Sequence, residues 1–138
     1  MNKRCAMTAI AVFVTMAVLE FLIHGVLLKE AYLATASVWR PMEEMHGMMW
    51  LMWVIYLVNA LVLPYIYVKG YEAGKSPIGQ GLRFGLAIGV LLSTGMSLGT
   101  YFMIPVPVSL AATWFVAGMI EYAVVGVVIG GLYKPEPA

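Results

Sequence analysis

Charge is the scarcest property of this chain. Only 11% of its 138 residues are Asp, Glu, Lys or Arg, and none is Asp, where a soluble domain carries roughly 25% charged residues. A water-facing surface built with so little charge would expose broad apolar patches and aggregate, which argues against a soluble globular fold. The net charge of +1 gives no field for nucleic acid or an acidic partner. The single cysteine, Cys5, cannot form an internal disulfide. It also precedes the first apolar run, whereas lipid attachment would need a cysteine after one. There is no Cys-x-x-Cys, no phosphate-cradling glycine loop, no zincin or zinc-finger spacing and no nucleophile elbow. No catalytic residues follow from the sequence, and a non-enzymatic role is expected.

What is present is hydrophobic: 62% of the residues are apolar. The apolar residues fall into four runs at about 5–28, 42–68, 82–103 and 108–132, each long enough to cross a bilayer. Unpaired backbone N–H and C=O groups are too costly in hydrocarbon, so each run is expected to be a helix. The expectation is a single all-α membrane domain over residues 1–138, a four-helix transmembrane bundle. The basic start at Lys3 and Arg4 has the look of a secretory signal. The run that follows is about 24 residues, longer than the roughly 7–15 of a signal core, and reads as a retained first span.

Orientation follows from basic residues, which accumulate in cytoplasmic loops. Lys3, Arg4, Lys69, Lys75, Arg83 and Lys134 fall on one side, and only Lys29 and Arg40 on the other. Both termini are therefore expected in the cytoplasm. Residues 29–40 then form a short periplasmic segment, suited to an interfacial helix. Residues 69–80, rich in Gly and polar side chains, read as a flexible connection, and Ile104-Pro105-Val106-Pro107 as a tight turn. The second helix is expected to begin at Pro41, with Glu43 and Glu44 in its first turn complementing the helix dipole. Pro64 is expected to kink it, and Asn59 to bond a neighbouring helix. Trp50 and Trp53 at one end, with Tyr65, Tyr67 and Tyr71 at the other, suit interfacial belts.

Two carboxylates stand where carboxylates are costly. Glu20 and Glu121 lie inside apolar runs, where insertion costs roughly 2.5–3.5 kcal/mol unless a partner or proton is at hand. His24 lies one turn from Glu20 on the same face. In one reading these are satisfied polar contacts, Glu20 with His24 and Glu121 with a Ser or Thr of the third helix. In the other they form an intramembrane site that handles protons or cations, since burial and a nearby imidazole bring titration into play.

Two further patterns point to metals. Glu43-x-x-His46 places both side chains on one helix face, the spacing used in di-iron bundles, and could oppose the Glu20–His24 pair. The same residues also suit simple solvent exposure at a helix start. Met42, Met45, Met49 and Met52 recur at 3, 4 and 3 residues, with Met48 beside them; thioethers can hold Cu(I), and equally serve as adaptable packing. Neither histidine has flanking residues that argue for haem. The cofactor, if there is one, stays unassigned.

Small residues form a third pattern. Gly81, Gly85, Gly89, Ser93 and Ser97 recur every four residues, Gly95 and Gly99 make a second short stripe, and Gly126 and Gly130 repeat the spacing in the last helix. Such faces let membrane helices approach closely; the alternative is a substrate path lined by small side chains.

Leu22–Leu28 with His24 and Gly25, Tyr32, Trp39-Arg40-Pro41, Lys69-Gly70-Tyr71-Glu72, Gly81–Gly85, Ile104–Leu110, Trp114 and Glu121-Tyr122 together resemble a family of small bacterial integral membrane proteins without an assigned activity. The likeness runs over nearly the whole chain, while His46 and the methionine stripe lie outside it. It implies a four-helix fold in a bacterial inner membrane and carries over no functional residue. The expected role is a non-catalytic accessory subunit or small-ligand-binding protein, in contact with lipid and assembling with itself or a larger complex. A proton- or cation-coupled transporter and a metal-binding membrane protein are the alternatives.

Overall fold

A computed structural model describes residues 3–133, with side chains from Cys5 onward. Lys134 and the side chains of Lys3 and Arg4, counted above for orientation, lie outside the described residues. Those residues are helical, without a strand among them: α1 (Lys3–Glu20, continued as a π-helical turn over Phe21–Leu27), α2 (Lys29–Ala34), α3 (Met42–Gly47), α4 (Trp50–Lys69), α5 (Pro77–Met103) and α6 (Val108–Leu132). A 3₁₀ turn at Ala36–Val38 follows α2. Four helical stretches are long and apolar enough to cross a membrane: Cys5–Leu27, Trp50–Lys69, Pro77–Met103 and Val108–Leu132.

The second apolar run does not form one helix. The chain breaks after Gly47, and Met49 N–H and Leu51 N–H donate to His46 O and Met48 O in tightened three-residue turns. Glycine is the worst helix former after proline, and here it ends a one-turn helix. Pro41 caps α3 from outside rather than opening it. The methionine stripe is split as a result: Met42 and Met45 lie on α3, Met49 in the turn, and Met52 on α4 against the core.

Helix α6 packs on both sides, against α5 and against α1, and α1 in turn carries α4. Val12 and Met16 of α1, Tyr56, Ala60, Leu63 and Tyr67 of α4, and Val125 and Ile129 of α6 share one buried cluster. A second cluster closes the opposite end, where Leu28, Val106, Leu110, Ala111 and Trp114 pack with Tyr32 and Trp39. Tyr67 is buried against Tyr71, Phe84 and Tyr133 instead of joining a belt. Tyr65, Trp50 and Trp53 are exposed. Asn59 donates to Ile55 O of its own helix rather than to a neighbour.

The α5–α6 pair is the closest contact, and the glycine spacing explains it. A Cβ on Gly81 would overlap Gly126 O, and one on Gly85 would overlap Tyr122 O. On the facing helix, a Cβ on Gly126 would overlap Gly81 O, and one on Gly130 would overlap Pro77 O. Backbone meets backbone, which only glycine permits.

The α4–α5 connection is shorter and more ordered than its composition promises. Ser76 Oγ accepts from Gly79 N–H and caps α5, with Pro77 in the first turn. The buried Gln80 side chain reaches back, accepting from Glu72 N–H at 2.8 Å and donating to Glu72 O at 3.0 Å and Lys75 O at 3.3 Å. The Glu72 carboxylate pairs with Lys75 and, at 2.6 Å, with Arg83. Those two cations hold the Glu72 carboxyl below its usual range. This pairing helps the fold above the ordinary carboxylate pKa and is lost as acid protonates Glu72 below it. Replacing Gln80 by Ala leaves three backbone groups of the loop, Glu72 N–H, Glu72 O and Lys75 O, without this partner. A loss of about 1–3 kcal/mol is expected, with faster proteolysis within residues 70–76; an unchanged cleavage rate would show the clasp to be incidental.

Candidate functional site

The buried face of α6 is an apolar stripe of Leu110, Trp114, Ala117, Val125 and Ile129, interrupted once by Glu121. Glu121 is 4% exposed and sits near the middle of its span. It faces a cavity of about 50 Å³ between α1, α5 and α6, whose polar lining is Glu20, His24, Ser93, Ser97, Trp114, Glu121 and Tyr122. That volume holds roughly three water-sized groups. The three intramembrane groups singled out in the sequence, Glu20, His24 and Glu121, therefore line a single space.

The π-helical turn delivers the α1 side of the site. Leu28 N–H donates to Ile23 O at 2.8 Å, five residues back, widening the helix where His24 leaves it. Such bulges recur at functional sites, and no pattern in the sequence announces this one. His24 Nε2 lies 3.4 Å from Glu20 Oε2. On its other side, His24 Nδ1 lies 2.5 Å from the Tyr32 hydroxyl, which accepts from Trp114 Nε1 at 2.8 Å. One hydrogen is shared between the Tyr32 hydroxyl and His24 Nδ1, the imidazole tautomer setting which of them donates. A continuous chain of polar groups thus runs from Trp114 through Tyr32 and His24 to Glu20.

Tyr32 had no role assigned from the sequence, and it is the keystone of this end. Its ring stacks on His24 and Trp114 and meets Trp39 edge-on. Trp39 Nε1 donates to Thr35 Oγ1, which donates to Ala31 O, tying Trp39 to the end of α2. Burial pushes the Tyr32 hydroxyl up to about 12; the Trp114 hydrogen bond opposes this, and the Glu20 charge adds to it. Because the folded value is raised, Tyr32 favours the fold fully below pH 10, the ordinary value, and this contribution fades as the pH climbs toward 12. The ultraviolet titration difference between the native chain and Tyr32→Phe is expected to show one tyrosinate appearing only near pH 12. A difference curve centred at 10 would mean that the keystone packing is absent in solution.

Glu121 is not bonded to a serine. Among the described residues, Glu121 Oε1, Ser93 Oγ and Ser97 Oγ are buried without a hydrogen-bond partner. The small-residue face of α5 accordingly divides in two. Gly81, Gly85 and Gly89 pack against α6, while Ser93 and Ser97 line the cavity. Ser93 can reach in because Gly118 opposite has no side chain; a Cβ there would overlap Ser93 Oγ.

The proposed metal ligands do not gather. Glu43, His46 and Met49 are exposed and Met45 is half-buried. Among the described residues no group of three or more His, Cys, Asp or Glu side chains lies close enough to share a metal ion. The facing of two Glu–His pairs expected from the sequence fails because α3 is separated from α4 and lies outside the spans. Glu44 pairs instead with Arg40.

Comparison with family models, with curated proteins and with solved structures finds no match to this chain.

Proposed function

We propose that this is a non-catalytic membrane protein that binds a small polar ligand in the cavity between α1, α5 and α6, with Glu20, His24 and Glu121 as its polar groups. One observation carries the reading: a carboxylate in the middle of a span presents an unpartnered oxygen to a partly open cavity between three helices. A structural plug would have its polar atoms satisfied, because an unpaired buried acceptor costs stability and returns nothing. A binding site keeps that cost for its ligand. Replacing Glu121 by Met in mild detergent tests this. A clear drop in stability identifies Glu121 as a structural element and removes the reading.

The protein is placed in a bacterial inner membrane with both termini in the cytoplasm, on the strength of its basic-residue asymmetry and of the family resemblance. Labelling of a cysteine introduced in the loop at residues 70–76, with Cys5 replaced by Ser, from each side of oriented vesicles checks the orientation. Assembly with a second copy or a larger complex is supported by Gly95 and Gly99. A Cβ at either position meets nothing within 4 Å, so this face of α5 is open to a close-packing helix. A chain that stays monomeric in mild detergent and copurifies with nothing speaks against assembly.

The polar chain from Trp114 to Glu20 favours a second reading, a proton- or cation-coupled transporter. It links helix α2 to the Glu20 carboxylate within the first span, the kind of connection that ion and proton paths use. Reconstituted vesicles without a flux that depends on Glu20 and Glu121 rule it out.

A further inference from the structure

Building on the reading of the cavity as a binding site, we propose that its ligand is a compact monovalent cation, an alkali ion or ammonium, held by the Glu121 carboxylate and the hydroxyls of Ser93 and Ser97. Donor type points there first. Among the described residues, the buried side-chain nitrogen and oxygen atoms left without a partner are three oxygens, one carboxylate and two hydroxyl. Hard oxygen donors suit hard cations and ammonium. Ser93 and Ser97 stand one turn apart on α5, and both face the space that Glu121 faces from α6.

Charge sets the valence. Of the two acids at the cavity, Glu20 already has His24 beside it, 3.4 Å away. Glu121 has no such base, and no Lys or Arg lines the cavity among the described residues. The donor set of Glu121, Ser93 and Ser97 carries one formal charge, that of the ionised Glu121 carboxylate. A single positive charge balances it, whereas a divalent ion would leave an excess, and the cost of burying an ion rises with the square of its charge. An anion would add to the charge already there, and a neutral ligand would leave it uncompensated.

Size sets the rest. About 50 Å³ accommodates an alkali ion or ammonium with one or two waters, since each water needs roughly 10–15 Å³.

The test uses the full chain in mild detergent at fixed pH and ionic strength, in N-methylglucamine chloride. Sodium, potassium or ammonium chloride then replaces that salt stepwise while thermal unfolding is followed. At least one of the three is expected to raise the unfolding midpoint along a saturating curve. Glu121→Gln is expected to abolish the rise, and Ser93→Ala or Ser97→Ala to weaken apparent affinity roughly tenfold or more. The two serine variants keep the test open if the Gln variant does not fold. Identical midpoints in all four salts overturn the proposal, as does a rise that survives all three substitutions. Calcium or magnesium acting at far lower concentration than any monovalent ion, through Glu121, overturns the valence. Should the salts have no effect while Glu121→Met leaves stability intact, the cavity remains a binding site for some other ligand. A destabilised Glu121→Met removes both.

Discussion

In N-methylglucamine chloride, Glu121→Met is expected to be more stable than the native chain, by about 1–3 kcal/mol in denaturant titration. Glu121 is 4% exposed, its neighbours along α6 are Trp114, Ala117 and Val125, and its Oε1 has no partner among the described residues. The native side chain therefore bears a desolvation cost that no hydrogen bond at that oxygen offsets. Methionine is unbranched and similar in shape, and it fills irregular apolar space without a polar atom to satisfy. The gain is measured against a reference free of small cations, since a bound ion would stabilise only the native chain. A loss of stability comparable to that of a broken buried ion pair, about 3–5 kcal/mol, would show that Glu121 is held by a partner and has a structural duty.

Gly126→Val should produce the largest loss of stability of any single change in the spans, on the order of 3 kcal/mol or more. A Cβ at Gly126 meets the Gly81 carbonyl oxygen and comes within 2.7 Å of Gly85 Cα. Both are backbone atoms of α5, so no rotamer change relieves the overlap, and the two helices must separate. Separation also enlarges the cavity, because Ser93 rests against Gly118 only a few turns away. Gly131→Val is the matched control on the same helix, with open space around its Cβ and an expected change within about 0.5 kcal/mol. Equal stabilities for the two variants, read by the same denaturant titration, would mean that α5 and α6 do not approach each other as described.

These two residues show how far the sequence reaches. Glu121 stands out in the chain because a charged group within an apolar run is costly anywhere in a bilayer, and that cost needs no fold to be recognised. Its partner cannot be read the same way. A hydrogen bond to a serine of α5 is the natural expectation, and the structure leaves both groups facing a cavity instead. Gly126 and Gly130 announce a close helix contact through their spacing, but spacing does not say which helix they meet.

Tyr32 carries no periodic or charge signal, and its position follows from how α2 folds back over α1 and α6. The π-helical turn at Phe21–Leu27 is equally silent, since its residues suit an ordinary helix. The break at Gly47 had a local cause visible in the chain, a glycine within a run, yet the run remained apolar enough to read as one helix.

Composition and the length of apolar runs determined by themselves that this is an all-helical protein with four stretches able to cross a membrane, because hydrocarbon tolerates no unpaired backbone and water tolerates no such surface. Tertiary structure decided what the α5 face does: its glycines pack against α6 and its serines open onto a cavity. A stripe of small residues has one periodicity and two uses. Only the helix laid across it, with glycine at 126 and 130 and a carboxylate at 121, determines where contact ends and the cavity begins.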